Sequence, residues 1–203
     1  MVSSSTKTED KHKGILQAAT KVFAHNGFYN SKISEIAKEA GVADGTIYLY
    51  FKNKDNILIS LFEEEMGKAI ANMKEGIGKE KNLLEKLKMF AIIQLNSKKD
   101  NPDLAAIMEV ELRQSSKFMK EYVNIKFIEY LKILSSIIRE GQEEGIIRKD
   151  VDPTILGRAF WGALDEVARF WVLSPKKRVS LSASAKLISD IFIKGMVEQA
   201  VIT

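Results

Sequence analysis

Apolar residues recur every three or four positions along most of the chain, a spacing typical of helices that bury one face. No stretch sustains the alternation of apolar and polar residues that marks a surface strand. The sequence therefore predicts an all-α fold of about nine helices. They are expected over residues 11–26, 33–40, 44–50, 53–76, 80–99, 103–114, 117–140, 153–172 and 180–199.

The second and third predicted helices are short and lie close together in the sequence. Ile36 contributes to an apolar face on the first of them, while Ile47 and Phe51 give the other a buried side. Gly41 lies between them and can adopt the left-handed conformation that ends a helix. Two helices joined by about four residues that include Gly form the helix-turn-helix pattern, so residues 44–50 are predicted to enter a DNA groove.

A domain boundary is predicted near residue 53, because the long fourth helix leaves the three-helix unit there. This division gives a helix-turn-helix DNA-binding domain over residues 1–53 and a larger helical domain over residues 54–203. With 203 residues in total, the chain is long enough to bury a sizeable core.

The composition argues against enzymes, metal sites and membrane proteins. The chain has no cysteine and only two histidines, His12 and His25, both on the first predicted helix. It has neither a Gly-rich phosphate loop nor an HExxH motif, so we expect no catalytic residue, cofactor or metal. No run of about 18 apolar residues is present to span a membrane, and the polar N-terminus is unlike a signal peptide. A cytoplasmic protein is therefore expected.

The charge distribution favours the N-terminal part as a DNA-binding surface. The whole chain has a net charge of only +4, yet residues 1–54 hold eight lysines against five acidic residues. All six arginines lie beyond residue 112, so the helix-turn-helix cannot make the bidentate arginine–guanine contact that is commonest in the major groove. We expect base reading through Thr46, Tyr50, the backbone, methyl contacts and DNA shape. A helical enzyme or a helical interaction protein without DNA binding is the remote alternative.

Four short stretches carry a longer signature: Gly27-Phe28, IAKEAGV at 36–42, GTIYLYFKNK at 45–54, and Ile57-Leu58. Together they resemble the TetR family of bacterial repressors. The resemblance implies a homodimer that is held together by its last two helices and binds a palindromic double-stranded DNA operator. It also implies that a small hydrophobic effector binds the C-terminal domain and releases the protein from DNA.

The resemblance gives roles to several positions of the helix-turn-helix. Tyr48 matches a tyrosine that hydrogen-bonds to phosphate, and Lys54 matches a phosphate-contacting lysine at the start of the fourth helix. Lys32 and Ser34 open the second helix, whose free N–H groups and positive dipole end favour a phosphate. The candidate DNA-binding residues are Lys32, Ser34, Asp44, Gly45, Thr46, Tyr48, Tyr50 and Lys54.

The start of the recognition helix departs from the family pattern, in which a Ser or Thr commonly caps this helix. Ala43 stands at that place here. The Asp44 carboxylate either caps the helix or accepts a hydrogen bond from a cytosine amino group, and capping is the favoured interpretation. Tyr48 and Tyr50 are two residues apart, so they cannot both point into the core from one helix face.

A narrower resemblance rests on residues 41–54, residues 57–67 and the ELRQS run at 111–115. These stretches are similar to the TetR-type repressors of fatty-acid degradation, which implies long-chain acyl-CoA as the effector. An acyl chain needs an apolar tunnel, and the CoA phosphates need cations such as arginine near its mouth. The candidate residues are Met66, Phe90, Ile93, Met108, Leu112, Tyr130, Trp161 and Leu164 for the tunnel, with Arg113, Arg158 and Arg169 for the phosphates.

Alternatives stay open for the C-terminal domain. For each apolar candidate taken singly, an ordinary core residue is the favoured interpretation, and each arginine could equally be a solvated charge on a helix face. Within the family, the alternative is a sensor of lipophilic drugs that controls an efflux pump, and such a pocket would favour buried carboxylates where the drugs are cationic. Small residues among large apolar ones at 158–171 and 180–199 allow close helix packing, which agrees with dimerisation through these helices.

Overall fold

The computed structural model describes residues 4–114, 122, 125–176 and 179–197. Within these residues nine helices and no strand are present, so the prediction of an all-α fold is confirmed. The predicted helix start at 117 lies outside the described residues. The helices are α1 (Ser4–Asn26), α2 (Ile33–Glu39), α3 (Asp44–Tyr50), α4 (Lys54–Gly78), α5 (Leu83–Asp100), α6 (Pro102–Ala106, continued by a π-helical turn over Ile107–Glu111 and a last turn over Leu112–Gln114), α7 (Ile125–Glu143), α8 (Pro153–Leu173) and α9 (Leu181–Met196).

Two helices are longer than the sequence pattern predicts. α1 begins at Ser4 rather than at residue 11, and α4 continues through Gly76 and Gly78, which were expected to break it. A Cβ on Gly76 would overlap the Cδ1 atom of Ile93. This glycine therefore lets α5 approach α4 closely, and it does not end the helix.

The chain folds as two compact units, each made of two separate segments. Unit 1 consists of Met1–Glu65 and Asn101–Val123, and unit 2 consists of Met66–Asp100 and Asn124–Thr203. This division differs from the predicted boundary at residue 53. The reason is a long-range contact that periodicity cannot reveal, because α6 and its π-helical turn pack against α1.

Unit 1 is centred on the packing of α1, α2 and α3. Gly27 and Gly41 have positive φ angles of 76° and 66°, and they follow the ends of α1 and α2 in the left-handed conformation that glycine adopts without strain. α6 adds the buried side chains of Ala105, Ile107 and Leu112. The other buried residues of this unit include Ile15, Leu16, Ala19, Phe23, Ile36, Ala37, Ile47, Phe51, Ile57 and Leu58.

Unit 2 contains α5, α7, α8, α9 and the last part of α4. α5 packs against α9, and α8 packs against both α7 and α9. Gly157 lies where α8 meets α7, and a Cβ there would be 3.5 Å from the backbone nitrogen of Ser135. A single antiparallel bridge between Ile147 and Val197 links the residues that follow α7 and α9. Among the described helices, none is both long and apolar enough to cross a membrane.

Candidate DNA-binding surface and effector domain

The helix-turn-helix forms as predicted, with α2 and α3 joined by a tight turn. The Val42 nitrogen donates to the Ala37 oxygen at 3.0 Å, and Gly41 takes the left-handed conformation, which closes the end of α2. Ile36 and Ile47 are fully buried, so the two helices face each other through their apolar sides. The opposite side of α3 is thereby directed outwards, as a recognition helix requires.

The exposed face of α3 carries one aromatic and one aliphatic side chain. Tyr48 is 58% exposed and Leu49 is 82% exposed, the highest value for any large apolar residue in the described chain. Thr46 and Tyr50 are partly buried, and the ring centroid of Tyr50 lies 6.3 Å from that of His12 on α1. Tyr48 is therefore not a core residue, whereas Tyr50 leaves only part of its ring exposed.

Leu49 is absent from the residues predicted to bind DNA, although its position in the sequence indicates that its side chain is exposed. It lies two residues from both Ile47 and Phe51, and two residues turn a helix by about 200°. Since Ile47 and Phe51 are buried, Leu49 must point to the opposite side. An exposed apolar side chain on a groove-facing helix can contact the methyl group of thymine.

The interpretation of Asp44 as a helix cap is wrong. Ala43 is the N-cap residue of α3, no side chain caps this helix, and Asp44 is its first residue. The Thr46 nitrogen donates to the Ala43 oxygen at 2.8 Å, so the first turn is closed by the backbone. The exposed Asp44 carboxylate acts on α3 through the helix dipole, and it remains available for the other role considered, a contact with a cytosine amino group.

The first turn of α2 is partly occupied by one of its own carboxylates. Lys32 and Ser34 are exposed at this end of the helix. The Glu35 carboxylate accepts from the Lys32 backbone nitrogen at 2.8 Å and from the Asn26 side-chain nitrogen at 3.4 Å. A phosphate at this helix end must therefore share the free backbone donors, of which a helix has only four, with Glu35.

Lys54 has a structural role that its sequence position does not reveal. Its Nζ donates to the backbone oxygens of Tyr29 and Ser31, each at 2.9 Å, and lies 4.7 Å from the centroid of the Phe28 ring. Burial lowers the pKa of the Lys54 amine. An ammonium group has three donors, so one remains for the phosphate contact that the family resemblance implies.

The turn between α1 and α2 is also held by Glu111, on the π-helical turn of α6. The Glu111 carboxylate accepts a hydrogen bond from the Phe28 nitrogen at 2.7 Å. A Cβ on Gly27 would be 3.7 Å from that carboxylate. Residues 27–31 are thus fixed by a cation at the start of α4 and by an anion on α6. No local pattern in the sequence indicates this pairing, because the partners are 83 positions apart.

The structure divides the predicted effector residues between the two units. Met108, Leu112 and Arg113 lie in α6 and belong to unit 1. The remaining ones belong to unit 2, so the candidate set is not one cluster within a single unit. In unit 2, Met66, Phe90, Tyr130 and Leu164 are buried, Ile93, Trp161 and Arg169 are partly exposed, and Arg158 is exposed.

Aromatic rings form part of the core of unit 2. The ring centroid of Phe90 lies 5.5 Å from that of Tyr130 and 6.4 Å from that of Phe160. The Trp161 ring packs edge-on against Phe127, with centroids 4.8 Å apart. These separations are typical of aromatic pairs that stabilise a core, so Phe90, Tyr130 and Trp161 each contribute to the packing of unit 2.

The three candidate arginines differ in their surroundings. Arg169 pairs with Glu166 on the same helix, and both side chains are well exposed, so this ion pair has little energetic weight. Arg113 lies 3.6 Å from the buried carboxylate of Glu109, and an anionic ligand at Arg113 would compete with that buried charge. Arg158 is exposed on α8 and forms no ion pair within the described residues.

An apolar stripe is exposed on each of the last two helices. On α8, Ile155, Phe170 and Leu173 are more than half exposed, and on α9 the same holds for Leu187 and Ile191. Residues separated by three or four positions, or by multiples of a turn, lie on one side of a helix. The exposed apolar residues of each helix therefore share one side, which on α8 also carries the exposed Arg158 and Glu166, and exposed apolar side chains grouped on a protein surface mark an interaction site.

The sequence matches two family descriptions along most of its length. Residues 15–61 match the bacterial regulatory proteins of the tetR family, and residues 62–195 match the C-terminal region of the YsiA-like protein. The chain belongs to the TetR family. TetR-family proteins regulate transcription through a DNA-binding helix-turn-helix, so this protein is a regulator and not an enzyme.

Relatives of this TetR-family protein include regulators of fatty acid metabolism. It is 38% identical over 186 residues to the fatty acid metabolism regulator protein of Bacillus subtilis strain 168, covering 92% of this chain and 95% of that protein. The transcriptional regulator FadR from Bacillus subtilis, solved in complex with stearoyl-CoA, has a TM-score of 0.84 at 38% identity and covers 90% of this chain and 98% of that one. The fatty acid degradation regulator FadR from Bacillus halodurans has a TM-score of 0.84 at 34% identity, covering 91% and 95%. The narrower resemblance is therefore confirmed.

Proposed function

We propose that this TetR-family protein is a cytoplasmic repressor that a long-chain acyl-CoA releases from its operator, and that it controls genes of fatty acid degradation. The observation that carries the proposal is the similarity to the Bacillus subtilis FadR bound to stearoyl-CoA, with a TM-score of 0.84 over 90% of this chain. Because the similarity extends over so much of the chain, it includes the C-terminal region as well as the helix-turn-helix.

On the operator, α3 enters the major groove of each half-site. Leu49 contacts thymine methyl groups, and the Tyr48 hydroxyl reaches a phosphate oxygen. Lys32 and the remaining donor of Lys54 add further phosphate contacts. Since the helix-turn-helix contains no arginine, sequence selectivity rests on apolar contacts, on the hydroxyl of Thr46 and on the shape of the DNA.

The repressor is a homodimer formed through α8 and α9. The exposed apolar stripes on these helices support this arrangement, because a two-fold axis brings the same surface of a second copy against them. The dimer presents two α3 helices to a palindromic operator whose half-site centres are about 34 Å apart. The acyl-CoA favours a dimer in which the two helices no longer match this spacing.

Thermal stability and operator binding test the effector assignment. Palmitoyl- or stearoyl-CoA is expected to raise the melting temperature, because a ligand at 100 times its Kd stabilises the folded state by about 2.7 kcal/mol. The same ligands should release the protein from an operator selected out of random duplexes. Cationic dyes serve as the comparison for a drug sensor. If acyl-CoA produces neither effect, the effector is misassigned, and a response to the dyes alone would favour drug sensing.

A further inference from the structure

α5 carries one polar residue on its buried face. The buried positions of this helix are Leu83, Leu87, Phe90, Ala91, Gln94 and Leu95, so Gln94 interrupts a face that is otherwise apolar. Gln94 is only 8% exposed. A carboxamide in such a place is costly unless its oxygen and its nitrogen both have hydrogen-bond partners.

The oxygen of this carboxamide has a partner in Tyr130 on α7. The Tyr130 hydroxyl donates to Oε1 of Gln94 at 2.5 Å, and both residues are buried. Burial raises the pKa of Tyr130 far above its ordinary value, so the hydroxyl keeps the proton that it donates. This bond fixes the orientation of the carboxamide and directs Nε2 away from the tyrosine.

The nitrogen of the same carboxamide has no such partner. Nε2 carries two N–H donors, and none of the described residues accepts a hydrogen bond from it. Gln142, in the same unit, differs in this respect, because its Nε2 donates to the backbone oxygens of Arg148 and Val151 at 3.0 and 2.8 Å. Nε2 is not among the fully buried side-chain atoms that lack a partner in the described residues, so this atom borders space that solvent reaches, and a bound molecule that displaces the solvent can supply the acceptor.

We propose that Gln94, oriented by Tyr130, donates a hydrogen bond to the thioester carbonyl of the acyl ligand. This inference rests on the proposed function, because it takes an acyl-CoA as the effector. The alkyl chain has no hydrogen-bonding group and suits the aromatic surroundings of Phe90 and Phe160, whereas the thioester carbonyl is the first acceptor at its end. Gln94 is then a specificity-determining residue that distinguishes an acyl thioester from an alkyl chain without a carbonyl.

The test removes the carbonyl from the ligand and the carboxamide from the protein. Titration calorimetry with the full-length chain compares palmitoyl-CoA with S-hexadecyl-CoA, a thioether in which CH2 replaces the carbonyl. The wild type should bind the thioester about tenfold more tightly, the effect expected for one added hydrogen bond. Gln94→Met should bind both ligands equally. Tyr130→Phe should show a smaller preference than the wild type, because the carboxamide loses the group that orients it.

Gln142→Met is the matched control, since it also removes a glutamine from unit 2 but one whose donors are satisfied within the protein. Its preference for the thioester should stay at the wild-type value. A wild type that binds both ligands equally would overturn the inference, and so would a Gln94→Met variant that keeps the preference. If Gln94→Met does not fold, Tyr130→Phe decides, and an unchanged preference there counts against the inference. A wild type that binds neither ligand shows instead that the proposed function is wrong.

Discussion

Both units expose apolar side chains, but in different settings. In unit 1, Tyr48 and Leu49 form a small patch on α3, and Lys52 and Lys54 follow directly in the sequence. In unit 2, the exposed apolar residues of α8 lie at its two ends, and those of α9 lie one turn apart in its middle. A small patch near cations suits a base edge and its phosphates, whereas large apolar side chains exposed on two packed helices suit a protein surface. An exposed apolar residue does not by itself indicate which kind of partner it binds. The charges around it must be considered as well.

The largest effect is expected where the stripes of unit 2 are broken. Phe170→Glu combined with Leu187→Glu would place carboxylates without partners in the proposed dimer interface, where burial of a charge is strongly unfavourable. We expect the dissociation constant of the dimer to rise more than about 100-fold. Operator affinity should fall with it, because a monomer engages one half-site. Analytical ultracentrifugation and gel shifts measure the two effects.

Lys132→Glu is the control for this variant, because Lys132 is exposed on α7 and outside both stripes. It should leave the dimer and the operator affinity unchanged. A doubly substituted protein that remains dimeric at low micromolar concentration would contradict the assignment of α8 and α9 as the interface.

The next largest effect concerns Lys54 and Lys32 in unit 1, which are expected to have different roles. Lys54→Met removes the two hydrogen bonds to the backbone oxygens of Tyr29 and Ser31 and should lower the free energy of unfolding by about 1–2 kcal/mol. Lys32→Met should leave stability unchanged, because Lys32 is exposed. It should instead lower the slope of log affinity against log salt by about 1, as for one lost phosphate contact. Equal loss of stability in both variants would exclude a special structural role for Lys54.

A smaller effect is expected at the tip of the α3 patch. Leu49→Ala should weaken operator binding about fivefold, the value of a few buried methyl contacts, without changing the salt dependence. An operator that contains deoxyuridine in place of the contacted thymines lacks the same methyl groups, so the wild type should lose a similar factor on it. Leu49→Ala should bind the two DNAs equally. Gel shifts on both duplexes measure this, and a variant that still prefers thymine would assign the methyl contact to another residue.

The smallest effect concerns the turn that leads into the helix-turn-helix. Glu111→Ala removes the acceptor of the Phe28 amide and should lower the free energy of unfolding by about 1 kcal/mol. Glu111→Gln keeps an oxygen acceptor and should lose less. Hydrogen exchange at the Phe28 amide should accelerate in the alanine variant and change little in the glutamine variant. Equal protection in all three proteins would mean that this hydrogen bond does not hold the turn in solution.

The helices themselves were predictable because their signals are local. Apolar periodicity and the glycine that ends the preceding helix, Gly41, place the recognition helix at 44–50, and the structure has it at Asp44–Tyr50. Pro153 in the first turn places the start of α8 in the same way. The close contact of Gly76 with Ile93 and the bond between Phe28 and Glu111 join residues that are far apart in the sequence, so no local pattern predicts them.

Candidate functional residues could be named from the sequence only where a family motif covers them. The motif names positions in the helix-turn-helix, but it does not say how exposed each side chain is. Packing against His12 on α1 partly covers Tyr50, while Leu49 remains exposed. No motif extends to the effector domain, and a lone glutamine in an apolar pattern gives no signal until its partner, Tyr130, is known.

Unit 1 is made of two separate chain segments, which affects how it folds during synthesis and whether it can be transplanted into another protein. Domains fold as units, generally from the N-terminus during synthesis. Here the helix-turn-helix leaves the ribosome well before α6, which covers part of α1, and before Glu111, which bonds to Phe28. The nascent chain therefore carries an incomplete DNA-binding half until more than 110 residues have been made. A transplanted fragment that ends at residue 65 would lack the same segment, so the DNA-binding half of this protein is not a transferable module.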